Sequence, residues 1–221
     1  MLVRQFQSQS YTTENSFVER SSTLIGASDI RRLQSQQRTA AAQEAGKFSD
    51  EIFALQTKMN VMNKETKEVT EQEVTVDKDE CNRPSTTLED LAALNPINGP
   101  DKFITAGNAS QITDGAAAVM VCNDAGLKKI KASPRAEIVS ISVVGDDPVF
   151  MLTGPIPASF KALESANLSI EDIDLYEVNE AFAPVPLAWA ADLKADRSKL
   201  NVNGGAMALG HPLGATGAAA S

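Results

Sequence analysis

The second half of this chain predicts an α/β fold. Between residues 136 and 204, strand-like stretches alternate with helical ones: AEIVSISVV (136–144), GPIPASFKALESANL (154–168), IDLYEVN (173–179), AFAPVPLAWAADLKA (181–195) and LNVNG (200–204). Strand, helix, strand, helix, strand is the order of a parallel sheet covered by helices. A hydrophobic share of 43% in 221 residues supplies the apolar surface for a real core in one or two domains.

Each element has its own local reason. Residues 1–30 are polar, rich in Ser and Thr and without clear periodicity, and read as a flexible extension. From Asp29 to Gly46 the composition is Gln, Ala and Arg, with Ser28 or Asp29 as N-cap and Gly46 as the stop of a helix. Val74 and Val76 flank Thr75 in a predicted strand, after a charged, hairpin-like stretch over 63–73. Leu88, Leu91 and Leu94 recur at helical spacing behind Thr86 and Thr87. NPINGP (95–100) is a turn cluster. AAAVMVC (116–122) is apolar without alternation, so it fits a buried strand or a buried helix. AEIVSISVV reads as a central strand because β-branched residues suit a surface buried on both sides. Prolines open the next two helices: Pro155 in the first, and Pro184 and Pro186 near the first turn of the second.

Composition excludes several functions. The net charge of −9 disfavours nucleic-acid binding, which draws on basic patches. Cys81, Cys122 and one histidine give no metal motif, no Cys-x-x-Cys and no disulfide framework, so a reducing compartment is expected. No apolar run approaches the roughly 18–20 residues of a bilayer span. The first residues hold no apolar signal-peptide core, and Glu14 and Glu19 argue against a transit peptide. The cytoplasm is therefore the expected location, with the mitochondrion as the alternative. Neither GxGxxG nor GxxxxGK[ST] occurs, so no dinucleotide or P-loop site is expected.

The sole histidine, His211, lies in NVNGGAMALGHPLGATG (201–217). Glycines let a backbone take positive φ and let a ligand approach closely. Pro212 stiffens the turn that carries the ring. An imidazole moves protons near neutrality, which suits general acid–base work. A structural histidine on a tight loop is the competing explanation, and the loop alone leaves both open.

Several segments together decide between them. TAGNAS (105–110) with DGAAA (114–118), GPIPA (154–158), NEAFA (179–183) and NVNGGAMALGHPLGATGA (201–218) resemble the thiolase family. SQQRTAAAQEAGKFSDEI (35–52) and DECNRPSTTLEDL (79–91) resemble it too, and the likeness runs over about 30–220 in family order. The resemblance implies a thiolase-like fold, two βαβαβαββ domains packed as a five-layered α-β-α-β-α sandwich, present here in part. Residues 1–30 would be unmatched. Residues 31–132 would hold the end of the N-terminal domain with part of the coenzyme A-binding loop region. Residues 133–221 would hold a truncated C-terminal domain.

The resemblance implies acyl transfer on coenzyme A thioesters, by thiolysis of 3-ketoacyl-CoA or condensation of acetyl-CoA, in fatty-acid metabolism. His211 matches the histidine that promotes the nucleophilic thiolate, and Asn179 the asparagine that orders an oxyanion-hole water. Asn179 could instead cap a helix starting near Glu180. Arg83 and Ser110 match positions that contact coenzyme A, and Phe182 one that lines the acyl pocket. Acyl-CoA would be substrate, with no covalently bound cofactor and no metal, and a homo-oligomer is implied.

In the family the nucleophilic cysteine precedes the matched region and a second, proton-shuttling cysteine follows it. Cys81 in DECNRP and Cys122 at the end of an apolar run stand in neither context. The chain alone is therefore expected to be inactive, with uncovered apolar faces, and whether it is itself an enzyme stays open. The alternatives are a non-catalytic acyl-CoA-binding or subunit-interaction module, or a truncated product without function.

Overall fold

The structure, a computed structural model, describes residues 14–100 and 102–219. Helix α1, Glu14–Glu44, is the longest element. It begins well before the helix predicted from Asp29, so the extension expected over 1–30 is helical from Glu14; residues 1–13 lie outside the described residues. Gly46 ends it as predicted. At φ +68° it lets Lys47 N–H reach Ala42 C=O (2.9 Å) and its own N–H reach Gln43 C=O (3.0 Å), which closes a Schellman turn.

The buried face of α1 is polar. Ser28, Arg31, Arg32, Ser35, Gln36 and Thr39 recur at helical spacing and are all buried, with Ala42 in line. Buried polar groups require partners. Those partners lie far along the chain, because α1 packs on α5, Pro184–Asp192, and on α6, Ala206–Leu209.

Strands β1, Leu55–Met62, and β2, Val69–Val76, form an antiparallel hairpin in register Leu55↔Val76 to Met62↔Val69. The predicted strand at 74–76 is the end of β2, and of the charged stretch before it residues 69–73 are strand and 63–68 the turn. Asn63 turns the hairpin, its side-chain oxygen accepting from Glu65 N–H at 2.8 Å. Helix α2, Leu88–Ala92, opens with a capping box in which Thr87 and Asp90 satisfy each other's backbone N–H.

The sheet predicted for the second half is not built among the described residues. The described sheet is the β1–β2 hairpin. Residues 116–122 form neither buried strand nor buried helix; Val121 is 70% exposed. Residues 140–144 keep an alternation, with Ser142 and Val144 buried while Ile141 and Val143 face outward, and 136–139, Val139 included, are exposed throughout. A strand needs a neighbour to satisfy its backbone, and none is paired to this segment as a ladder. The predicted strands 173–179 and 200–204 shrink to one parallel bridge, Tyr176↔Leu200.

The helices predicted over 154–168 and 181–195 hold better, and a further helix forms at 124–130, where none is predicted. Helix α3, Asp124–Ile130, is capped by Asn123, and α4, Pro155–Ala166, starts on its proline and stops at Asn167 in the left-handed region. Helix α5 carries Pro184 and Pro186 in its first turn. Its Trp189 packs with Tyr176, Val178, Ala190, Leu193 and Leu200 in the main apolar cluster. Tyr176 and Trp189 rings are 5.2 Å apart and tilted by 60°, and Trp189 N–H donates to Ser159 Oγ at 2.9 Å. Helices α6 and α7, Thr216–Ala219, flank the His211 turn.

Candidate functional site

Residues 108–112 form a central strip that ties two motif segments together. On one side, Ala183 N–H donates to Asn108 C=O and Ser110 N–H to Ala181 C=O, each at 2.9 Å. On the other, His211 N–H donates to Gln111 C=O at 2.9 Å, beside a parallel bridge between Ile112 and His211. The NEAFA and GHP segments are thereby held side by side. Asn179 Nδ2 and His211 Nε2 lie 3.4 Å apart.

Helix α1 fixes the surroundings of this pair. Glu180 is fully buried, paired with the buried Arg31 guanidinium and bonded by Ser35 Oγ at 2.6 Å and Asn201 Nδ2 at 3.1 Å. Asn201 also clasps Val178, accepting from its N–H and donating to its C=O at 2.8 Å each. Asn179 thus sits between Val178, held through its backbone, and Glu180, held through its carboxylate. The Asn179 amide does not cap a helix: α5 starts at Pro184 with Ala183 as N-cap.

The glycine loop is gripped by the same helix. Ser35 Oγ accepts from Gly205 N–H, Gln36 Nε2 donates to Met207 C=O at 3.1 Å, and Thr39 Oγ1 donates to Asn203 C=O at 3.3 Å. Two glycines are required here. At Gly204, φ +89°, a Cβ would stand 1.8 Å from Thr39 Oγ1. At Gly210, φ +97°, a Cβ would meet Thr113 at 2.8 Å and Cys81 Sγ at 3.2 Å.

His211 is half-buried, and that burial pushes its imidazole below the ordinary histidine value. The ring is therefore neutral at pH 7, the state in which a nitrogen lone pair can accept a proton. Cys81 lies near the same loop, but burial, followed by the Asp79 charge, pushes its thiol up and away from the thiolate. Cys122 is exposed, at the end of an apolar run whose Val119, Met120 and Val121 are exposed as well.

Two family models match the chain: "Thiolase, N-terminal domain" over residues 27–125 and "Thiolase, C-terminal domain" over 132–221. The chain belongs to the thiolase family. It is 49% identical over 189 residues to the mitochondrial 3-ketoacyl-CoA thiolase of Homo sapiens, covering 86% of this chain and 45% of the relative. It is 45% identical over 184 residues to the acetyl-CoA acetyltransferase of Allochromatium vinosum, covering 83% and 44%. Among solved structures, the Bacillus anthracis acetyl-CoA acetyltransferase superposes with TM-score 0.82 at 40% identity, over 91% of this chain and 49% of that one. The human mitochondrial 3-ketoacyl-CoA thiolase in complex with CoA gives TM-score 0.77 at 44% identity, over 91% and 48%. The fold is thus an incomplete thiolase fold, and the chain spans about half the length of the curated relatives it matches.

The structure gathers the family-motif residues unevenly. Asn179 and His211 meet, and Ser110 and Phe182 belong to the strip beside them, Phe182 through a bridge to Ala109. Arg83 is exposed, one step out: its N–H donates to Gln36 Oε1 at 2.6 Å, and Gln111 Nε2 donates to Cys81 C=O at 2.7 Å. Sequence reasoning missed Arg31, Ser35, Gln36, Thr39, Glu180 and Asn201. The readable signal was the spacing of Arg31, Ser35 and Thr39, four residues apart on one helix stripe. No helix of the described residues is long and apolar enough to cross a membrane, and no group of three His, Cys, Asp or Glu among them could hold a metal ion.

Proposed function

We propose that this chain carries the asparagine–histidine half of a thiolase-type acyl-transfer site acting on 3-ketoacyl-CoA. The observation that supports it best is the 3.4 Å approach of Asn179 Nδ2 to His211 Nε2, with a neutral ring. His211 takes the proton from a cysteine thiol, and the resulting thiolate attacks the 3-keto carbon. The C2–C3 bond breaks, its electron pair goes to C2, and the family's second, proton-shuttling cysteine gives its proton to C2, which completes acetyl-CoA. The acyl group stays on the cysteine until free coenzyme A thiolate removes it. Asn179 orders a water against the oxyanion, an interaction worth about 3 kcal/mol in comparable sites. Arg83 and Ser110 bind coenzyme A, and Phe182 lines the acyl pocket. Cys81 does not fit the nucleophile's role, because its thiol is pushed up.

That observation on Cys81 also favours a second reading, in which the chain binds acyl-CoA or another subunit without turning substrate over by itself. A homo-oligomer belongs to both readings. The relatives named as mitochondrial support a mitochondrial rather than a cytoplasmic location.

Thiolysis of acetoacetyl-CoA separates the two. The chain alone is expected to give no turnover. Paired with a polypeptide spanning the unmatched part of the human relative, it is expected to give turnover that His211→Ala lowers at least about a hundredfold. Turnover untouched by both His211→Ala and Asn179→Ala would overturn the first reading. Failure of coenzyme A to bind the chain in calorimetry, together with a monomer at all concentrations in sedimentation, would overturn the second.

A further inference from the structure

We infer that Thr216 is a positioning residue that sets the tautomer of His211. The inference rests on the reading of His211 as the proton acceptor, and deepens it. Three contacts define the proton arrangement. Thr216 Oγ1 donates to Pro212 C=O at 3.1 Å, the back-bond common for hydroxyls at helix starts. His211 Nδ1 lies 2.7 Å from the same Oγ1. Asn179 Nδ2 lies 3.4 Å from His211 Nε2.

A threonine hydroxyl has one proton to give and lone pairs to receive. With its proton on the Pro212 carbonyl, Oγ1 is an acceptor towards the ring. Nδ1 therefore carries the hydrogen. A neutral imidazole has one N–H, so Nε2 carries the lone pair, and it faces the amide donor of Asn179. The opposite tautomer breaks the Thr216–Pro212 bond and sets an N–H against an N–H₂ group. Pro212 serves twice, stiffening the turn and anchoring the hydroxyl that orients the ring. The consequence is that the basic nitrogen points to Asn179 before any substrate arrives.

The single histidine makes this directly observable. The full chain, labelled with ¹⁵N-histidine, is measured at pH 8 by two-bond ¹⁵N–¹H correlation. The wild type is expected to show the Nδ1–H form. Thr216→Val is expected to move the ring several-fold towards Nε2–H, the form free imidazole favours in water, and Thr216→Ser to restore Nδ1–H. Emission of the sole tryptophan, Trp189, reports whether each variant keeps its fold. An Nε2–H wild type overturns the inference, whatever Thr216→Val does to folding. So does a folded Thr216→Val chain that keeps Nδ1–H. A chain that shows Nδ1–H but binds no coenzyme A would sink the acyl-CoA reading and leave the role of Thr216 standing.

Discussion

The fully buried Glu180 carboxylate is neutralised by the Arg31 guanidinium, 149 residues earlier in the chain. The first comes from the segment that carries Asn179, the second from a helix that supplies no candidate catalytic residue. One ion pair therefore couples the position of Asn179 to α1.

Breaking that pair leaves a buried charge without its counter-ion. Arg31→Met is expected to cost about 3–5 kcal/mol of stability. Adding Glu180→Gln removes the stranded charge and is expected to recover about 1–2 kcal/mol. Urea unfolding followed by Trp189 fluorescence measures both. Equal stability of Arg31→Met and wild type would show that the pair does not anchor the segment.

Gly204 is the tightest point of the loop. Gly204→Ala is expected to lose about 2–4 kcal/mol, from positive φ and from overlap with Thr39 and the Ser35 carbonyl. Gly214→Ala is the matched control, because no atom stands within 4 Å of its would-be Cβ. Thermal unfolding of the two variants should separate them clearly.

Stability should also depend on pH through His211. Burial lowers its folded pKa, so the unfolded chain, with a histidine near about 6.5, binds more protons in that range. Stability is then complete above the unfolded value and is lost as pH falls towards the folded one. The imidazole NMR titration should have its midpoint below that of an unstructured histidine. His211→Gln should flatten this part of the pH–stability curve.

The outward face of 136–144 makes a different prediction. Val139, Ile141 and Val143 are 70%, 63% and 61% exposed. Apolar alternation without a covering layer favours association. Sedimentation velocity is expected to show concentration-dependent association of the chain. Replacing all three by threonine is expected to weaken it at least about tenfold, or 1.4 kcal/mol. Unchanged association would place the contact elsewhere.

The body of α1, the helices α2, α4 and α5, and the pair Asn179–His211 are legible in the sequence for local reasons. Pro155, Pro184 and Gly46 act within a turn, and the motif residues lie in segments whose order and spacing carry the family likeness. The strand at 136–144 was read from β-branched residues, but propensity cannot supply a neighbour, and a ladder is a property of two segments. The helical start at Glu14 went unread because the segment lacks apolar periodicity. The anchoring face of α1 was hidden for a related reason. Its buried residues are Arg, Ser, Gln and Thr, which composition assigns to the surface. Ala109, Glu180, Asn203, Gly205 and Met207 supply hydrogen bonds that offset this burial, while Nε of Arg31 and of Arg32 has no partner among the described residues.

The most direct test uses the one imidazole of the chain as a reporter of substrate. Acetyl-CoA is titrated into histidine-labelled protein, and the His211 resonances are followed alongside an Arg83→Ala variant. A saturable shift of the ring signals is expected, and it should need a higher ligand concentration when Arg83 is removed. Binding that leaves His211 unmoved would contradict the claim that this pair faces the acyl-CoA.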